Sequence, residues 1–263
     1  MNPERSGFLG GAQWTDLLQL RSWEIAHELL LSLPWLLASL LAAGSGHYAI
    51  ALPCSFMFFL AGLRQVHNAF HYALGVSRPA SELVMLALSI LMLGSMHAVQ
   101  INHLRHHRHC MEEDDIEAMG ARLSALGAVM LGPRYPWCLH RKALELANPE
   151  QRSWIYVELL ANCIWISLVF LALNVPALQY HVLAMAAGQC LTAFFAVWTT
   201  HRGCEQRDPI ARTIRNRFKA IITYNMFYHY EHHTFPAVPT CKLPILAARI
   251  DALGPSTRLM KVF

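Results

Sequence analysis

Two pairs of long apolar runs, each pair joined by only three residues, restrict this chain more than anything else in its sequence. Residues 25–43 and 47–66 flank Gly44-Ser45-Gly46, and residues 153–173 and 177–200 flank Asn174-Val175-Pro176. A run of about 20 apolar residues crosses about 30 Å of hydrocarbon as a helix, since the helix satisfies its own backbone polar groups there. A three-residue link allows only a tight reversal, so each pair is expected to form a helical hairpin. Charged residues make up 14 % of the chain, against about 25 % in an ordinary soluble domain. The mean hydropathy of +0.31 fits membrane spans alternating with polar segments. The first residues lack the basic-then-apolar pattern of a cleaved leader, so the first run is expected to remain as a span.

Histidine is the second unusual feature, with 15 copies against 8 tyrosines and 7 tryptophans. Three clusters stand out: His67 and His71 as H-x-x-x-H, His103, His106 and His107 as H-x-x-H-H, and His229, His232 and His233 as a second H-x-x-H-H. Residues three and four apart are neighbours on a helix, so each cluster aims its rings from one face. A single pair can be an accident of packing. Three clusters, each at an apolar-to-polar boundary on one side of the membrane, point to metal. His201 ends the last apolar run at the same level and is a ninth candidate. Imidazole suits zinc, copper, iron and nickel, so spacing does not name the element. Structural zinc is satisfied by four donors and usually recruits cysteine, and none of the 7 cysteines forms a C-x-x-C pair. The formal charge of +4 is too small to suggest nucleic acid.

A further apolar run, 81–99, decides the topology. If it crossed the membrane, His67 and His71 would lie opposite His103, His106 and His107, and no shared site could form. It is therefore expected to enter and return, or to lie in the interface. Neither tight turn carries Lys or Arg. Excess basic residues mark the cytoplasmic face, so the clusters and both termini are expected there. Arg64, about one turn inside the second run, is expected to snorkel out. The expected fold is all-α and integral to the membrane. It has four transmembrane helices as two hairpins, one in-plane or re-entrant helix, and a cytoplasmic helical cap holding the metal site. No repeat or linker divides the chain, so residues 1–263 are read as one domain.

The order H-x-x-x-H, H-x-x-H-H, H-x-x-H-H resembles that of the membrane fatty acid desaturase superfamily. Arg78-Pro79 after the first box, the acidic run from Glu112 to Asp115 after the second, and NMFYHYEHHTFP at 225–236 extend the likeness. The resemblance implies two iron ions held by His67, His71, His103, His106, His107, His229, His232 and His233, with a role for His201. It implies O2 as co-substrate and two electrons from a separate redox protein such as a ferredoxin or cytochrome b5. Asn225, Asp114, Asp115 and Glu231 are candidates to orient the ligand rings.

The expected reaction is desaturation of an acyl chain, presented as a lipid or on an acyl carrier protein, in an inner or plasma membrane if the source is bacterial. Hydroxylation, ketolation and decarboxylation are alternatives within the superfamily; a metal transporter or metal-binding membrane protein is the rival from another class. Trp165, Phe194, Phe195 and Trp198 are candidate walls for an apolar tunnel. Glu158 and Asn162 are polar residues inside an apolar run, where such groups are often functional. Arg207, Arg212, Arg215, Arg217 and Lys219 form a basic strip suited to an acidic donor, an acyl carrier protein or anionic head groups.

Overall fold

A computed structural model describes residues 11–132, 134–206, 209–254 and 259–262. The chain is all-helical, 72 % helix, and an isolated bridge between Thr213 and Lys261 takes the place of any sheet among the described residues.

The first apolar run becomes α1 (Ser22–Leu30) and α2 (Leu33–Gly44), and the second becomes α3 (Tyr48–Phe70). Pro34 is tolerated because it sits in the first turn of α2, where the backbone N–H lacks an intrahelical partner anyway. The hydroxyl of Ser32 donates to Gln65 (2.6 Å), and Ser39 and Ser55 share a 2.7 Å bond. Partners rise along one helix as they fall along the other, so the pair is antiparallel, as the short link requires. Gly46 turns the chain with φ +76°, a conformation L side chains rarely adopt.

The second pair begins with α8 (Pro149–Ser167), started by a capping box between Asn148 and Gln151 and continued by a π-helical stretch, Leu168–Leu173. Asn174 then adopts the left-handed conformation, and α9 (Pro176–Gln189) returns. Ala43, Ala51 and Ala177 pack together, which places both turns at one end of the bundle. Beyond α9 the chain bends by 42° into a π-helical segment, Ala193–Trp198, and then α10 (Thr199–His201).

The run at 81–99 is not one helix. It divides into α4 (Arg78–Met92) and α5 (Met96–His109), bent by 112°. Leu93-Gly94-Ser95 supplies the stop and start signals that override apolar continuity. Leu93 takes φ +58°, and the Ser95 hydroxyl caps α5 by accepting the Ala98 N–H (3.1 Å). The bend is clamped by His97, whose Nδ1 lies 2.8 Å from Glu158 and whose Nε2 lies 2.5 Å from Glu82. Ser95 also donates to Glu158 (2.6 Å), and Trp154 stacks on the His97 ring. Glu158 thus serves the bend from a buried position, and Asn162 donates to Ser89 one turn further on. After the bend α5 runs back beside the end of α3, bringing the first two histidine clusters together.

Among the described residues, three helical stretches (α1 with α2, α3, and α8 with its π-helical continuation) are long and apolar enough to cross a membrane, or up to five if each bent pair counts as one span. Leu41, Leu52, Leu160, Leu171 and Leu183 are exposed on these helices, as expected for surfaces that meet lipid. The remaining α-helices are shorter: α6 (Ala125–Met130), α7 (Arg134–Leu146), α11 (Arg217–Ile222), α12 (His229–Thr234) and α13 (Leu243–Ala252). Around α12 and α13 a buried apolar cluster gathers Leu17, Phe227, Phe235, Leu246 and Ile250. Arg64 does not reach outward. It is buried in an ion pair with Glu28, with one Nη donating at 2.7 Å, because Glu28 and the Tyr224 carbonyl satisfy it inside. Asn68 donates to the same Glu28 (2.7 Å) and accepts from the Thr240 N–H (3.1 Å), tying the segment before α13 to α3.

Candidate metal centre

All nine sequence-predicted histidines meet at the end of α3 remote from the tight turns. They divide into two groups. In the first, Nε2 of His103 lies 3.0 Å from His71 and 3.1 Å from His107, and Nε2 of His107 lies 2.9 Å from His232. His67 belongs with them, its ring centroid 4.6 Å from His103 and 4.1 Å from His232. In the second group, Nε2 of His201 lies 3.1 Å from His106 and 2.9 Å from His229, and His233 lies 3.2 Å from His229. The groups touch where His107 stacks on His233, with centroids 4.2 Å apart.

Three of the outward ring nitrogens are held by specific partners. His103 Nδ1 meets Glu117 (2.8 Å), His106 Nδ1 donates to Asp115 (2.7 Å), and His201 Nδ1 donates to the Ile210 carbonyl (3.0 Å). Burial alone would raise the Asp115 carboxyl, but His106 and the N–H groups of Met111 and Ala118 hold it below the ordinary range. Burial pushes Glu117 up to about 7. Burial also pushes His71 down to about 4, and burial with neighbouring imidazoles holds His229, His232 and His233 well below the usual histidine value. Neutral rings are the form that binds metal.

The donor set fits metal on its own chemistry. A carbonyl and an ionised carboxylate only accept, so His201 and His106 spend their Nδ1 protons outward. Their inward Nε2 atoms, when the rings are neutral, carry lone pairs facing each other across 3.1 Å. That arrangement is repulsive, and a cation between the rings turns it into ligation. On an ion with bonds of about 2.1 Å to nitrogen, adjacent donors stand roughly 3.4 Å apart, close to the separations here. His67 Nε2, buried without a hydrogen-bond partner, adds a donor with no other use.

The fatty acid desaturase family model matches residues 43–260. The chain belongs to the fatty acid desaturase family. No curated protein and no solved structure matches it. Family membership makes the chain a membrane oxidoreductase of this superfamily.

The other residues singled out in this desaturase-family sequence have mixed placements. Asp115 orients a ring. Asp114 is exposed and pairs with Arg105, away from the histidines. Glu231 is buried between Thr213 (2.6 Å) and Arg215 (2.7 Å), where it braces α12 from behind. Asn225 takes φ +62° in the turn before α12, and its carbonyl accepts the Tyr228 N–H (3.2 Å). In the basic strip, Arg207 lies outside the described residues, Arg215 is bound to Glu231 and Asp251, and Arg212 is bound to backbone carbonyls. Arg217 and Lys219 are exposed on α11.

Beside the first group opens a cleft of about 870 Å³, counting the space open to solvent at its mouth. Leu63, Val66, Phe70, Met96 and Val99 line it, and His67, His103 and His229 reach it from the metal side. Trp165, Phe194, Phe195 and Trp198 are not among its walls; Ala196, Val197 and Thr200 present the inward face of that segment instead. Sequence reading missed Glu117, fourteen residues beyond His103 with no helical relation to it. It also missed Cys110, which helical spacing from His106 would have flagged.

Proposed function

We propose that this chain is an O2-dependent di-iron oxidoreductase that introduces a double bond into an acyl chain. The observation that carries this reading is the pairing of two facing imidazole groups with an apolar cleft that ends on them. His67, His71, His103, His107 and His232 would hold one iron, and His106, His201, His229 and His233 the other. When bound, the two irons supply the O2-activating redox chemistry that organic side chains lack. The protein's own part is to aim rings inward, with His103, His106 and His201 held by Glu117, Asp115 and the Ile210 carbonyl. The cleft aligns an apolar chain beside His67 and His103 and excludes bulk water. Loss of two hydrogens from adjacent carbons, with O2, two electrons and two protons consumed, gives the alkene and two waters.

The donors are gathered in one buried pocket at one end of the helices, which favours a reaction centre over a path for ions across the bilayer. The substrate is an acyl lipid or an acyl group on its carrier protein, and the electrons come from a separate ferredoxin or cytochrome b5. The absence of basic residues in both tight turns supports a cytoplasmic position for the metal centre and cap. The test is metal analysis and Mössbauer spectroscopy of the purified chain, with lipid profiling of cells that express it beside a compatible donor. About two irons per chain and a new alkene are expected. An alcohol or ketone as the sole product would refute desaturation, and a chain that takes up no iron would refute the centre.

A further inference from the structure

The nine imidazoles do not exhaust the donors in the pocket. Pairs four residues apart on a helix are allotted whole: His67 with His71 and His103 with His107 face the first group, and His229 with His233 faces the second. His106 is out of step with His103 and faces the second group. Its own neighbour four residues along is Cys110. That cysteine is buried, with Sγ 3.7 Å from His106 Nε2 and 3.9 Å from His201 Nδ1. Its sulfur and one ring nitrogen each from His106, His201 and His233 all lie within 4.8 Å of one another.

On an ion with bonds of about 2.1 Å to nitrogen and about 2.3 Å to sulfur, the two donors stand roughly 3.6 Å apart. The Cys110–His106 separation matches that edge. The competing partner for the thiol is the Ile210 carbonyl at 3.8 Å, which already accepts a 3.0 Å bond from His201 Nδ1. His233 Nδ1 and His229 Nδ1, buried without partners, show that this side of the pocket is not a closed hydrogen-bond network.

We propose that Cys110 is a ligand of the second metal position, losing its thiol proton as the metal–sulfur bond forms. The two positions then differ in kind, one all-imidazole and the other imidazole with thiolate. This inference rests on the two-metal reading above and adds a soft donor to it, which biases the second position towards thiophilic ions.

Cobalt(II) is the probe, added to the full-length chain in detergent. The native protein should show visible ligand-field bands and a near-ultraviolet sulfur-to-cobalt charge-transfer band. Cys110→Ser should lose the charge-transfer band and keep the ligand-field bands. Cys204→Ser should keep both, since Cys204 is not among the side chains whose donor atoms gather at either group. X-ray absorption of the native cobalt-loaded protein gives a reading that depends on no variant, with a sulfur scatterer at about 2.3 Å expected. Cobalt bound with nitrogen and oxygen scatterers alone, or a charge-transfer band that survives Cys110→Ser, overturns the inference and leaves the two-metal reading standing. No cobalt uptake overturns both.

Discussion

The two halves of the histidine pocket are built differently from shared helices. The first group takes five rings, from α3, α5 and α12; the second takes four, from α5, α10 and α12, with Cys110 beside them. Helix α5 gives His103 and His107 to the first group and His106 to the second, whereas α12 gives His232 to the first and His229 with His233 to the second. The helical repeat explains the division. At about 100° per residue, rings four apart diverge by about 40°, while adjacent rings diverge by about 100°. An H-x-x-H-H segment therefore serves two positions, a pair towards one and a single ring towards the other. Two such helices facing each other with the roles exchanged enclose both positions.

The strongest way to break this division is to remove one ring from each group. His103→Ala should abolish activity and lower iron from two ions per chain to about one, sparing the second position. His106→Ala should abolish activity and spare the first. Iron analysis with Mössbauer spectra separates the two, and loss of both ions from either variant would show that the halves bind as one unit. The outer partners come next in size. Glu117→Ala should weaken the first position, and Asp115→Ala the second, each by about 10–100-fold in metal affinity by chelator competition. Both variants weakening the same position would contradict the assignment.

Acid should act less selectively. His71, His229, His232 and His233 are depressed below their unfolded value, His71 to about 4 from 6.5, so at these rings the unfolded chain binds more protons in that interval. Stability and metal retention should be full above pH 6.5 and fall as the pH drops towards 4, followed by unfolding and metal release. A protein that sheds metal as the pH rises through neutrality would contradict the neutral-ring description. The smallest effect belongs to Asp114→Asn, which breaks a surface pair with Arg105. Stability should change little, because solvent screens the pair, with metal content unchanged.

The sequence was legible wherever one helix carried the information. The apolar runs announced an all-helical chain with candidate membrane spans, and periodic spacing marked eight of the rings that lie together. His201 was visible because it ends an apolar run at the level of the clusters. What escaped depended on contacts between distant segments. Glu117 meets His103 only because the 117–122 turn folds under α5, and Arg64 meets Glu28 across two helices. The break at 93–95 was hidden inside an apolar stretch whose hydropathy is continuous. Its Gly94 and Ser95 were local signals that the hydrophobic average obscured.

Anomalous diffraction at the iron edge, from crystals of the full chain purified with iron, tests the two-position pocket most directly. Two peaks are expected, one enclosed by His67, His71, His103, His107 and His232, the other by His106, His201, His229 and His233. A single peak shared by all nine rings, or iron bound elsewhere in the chain, would contradict it.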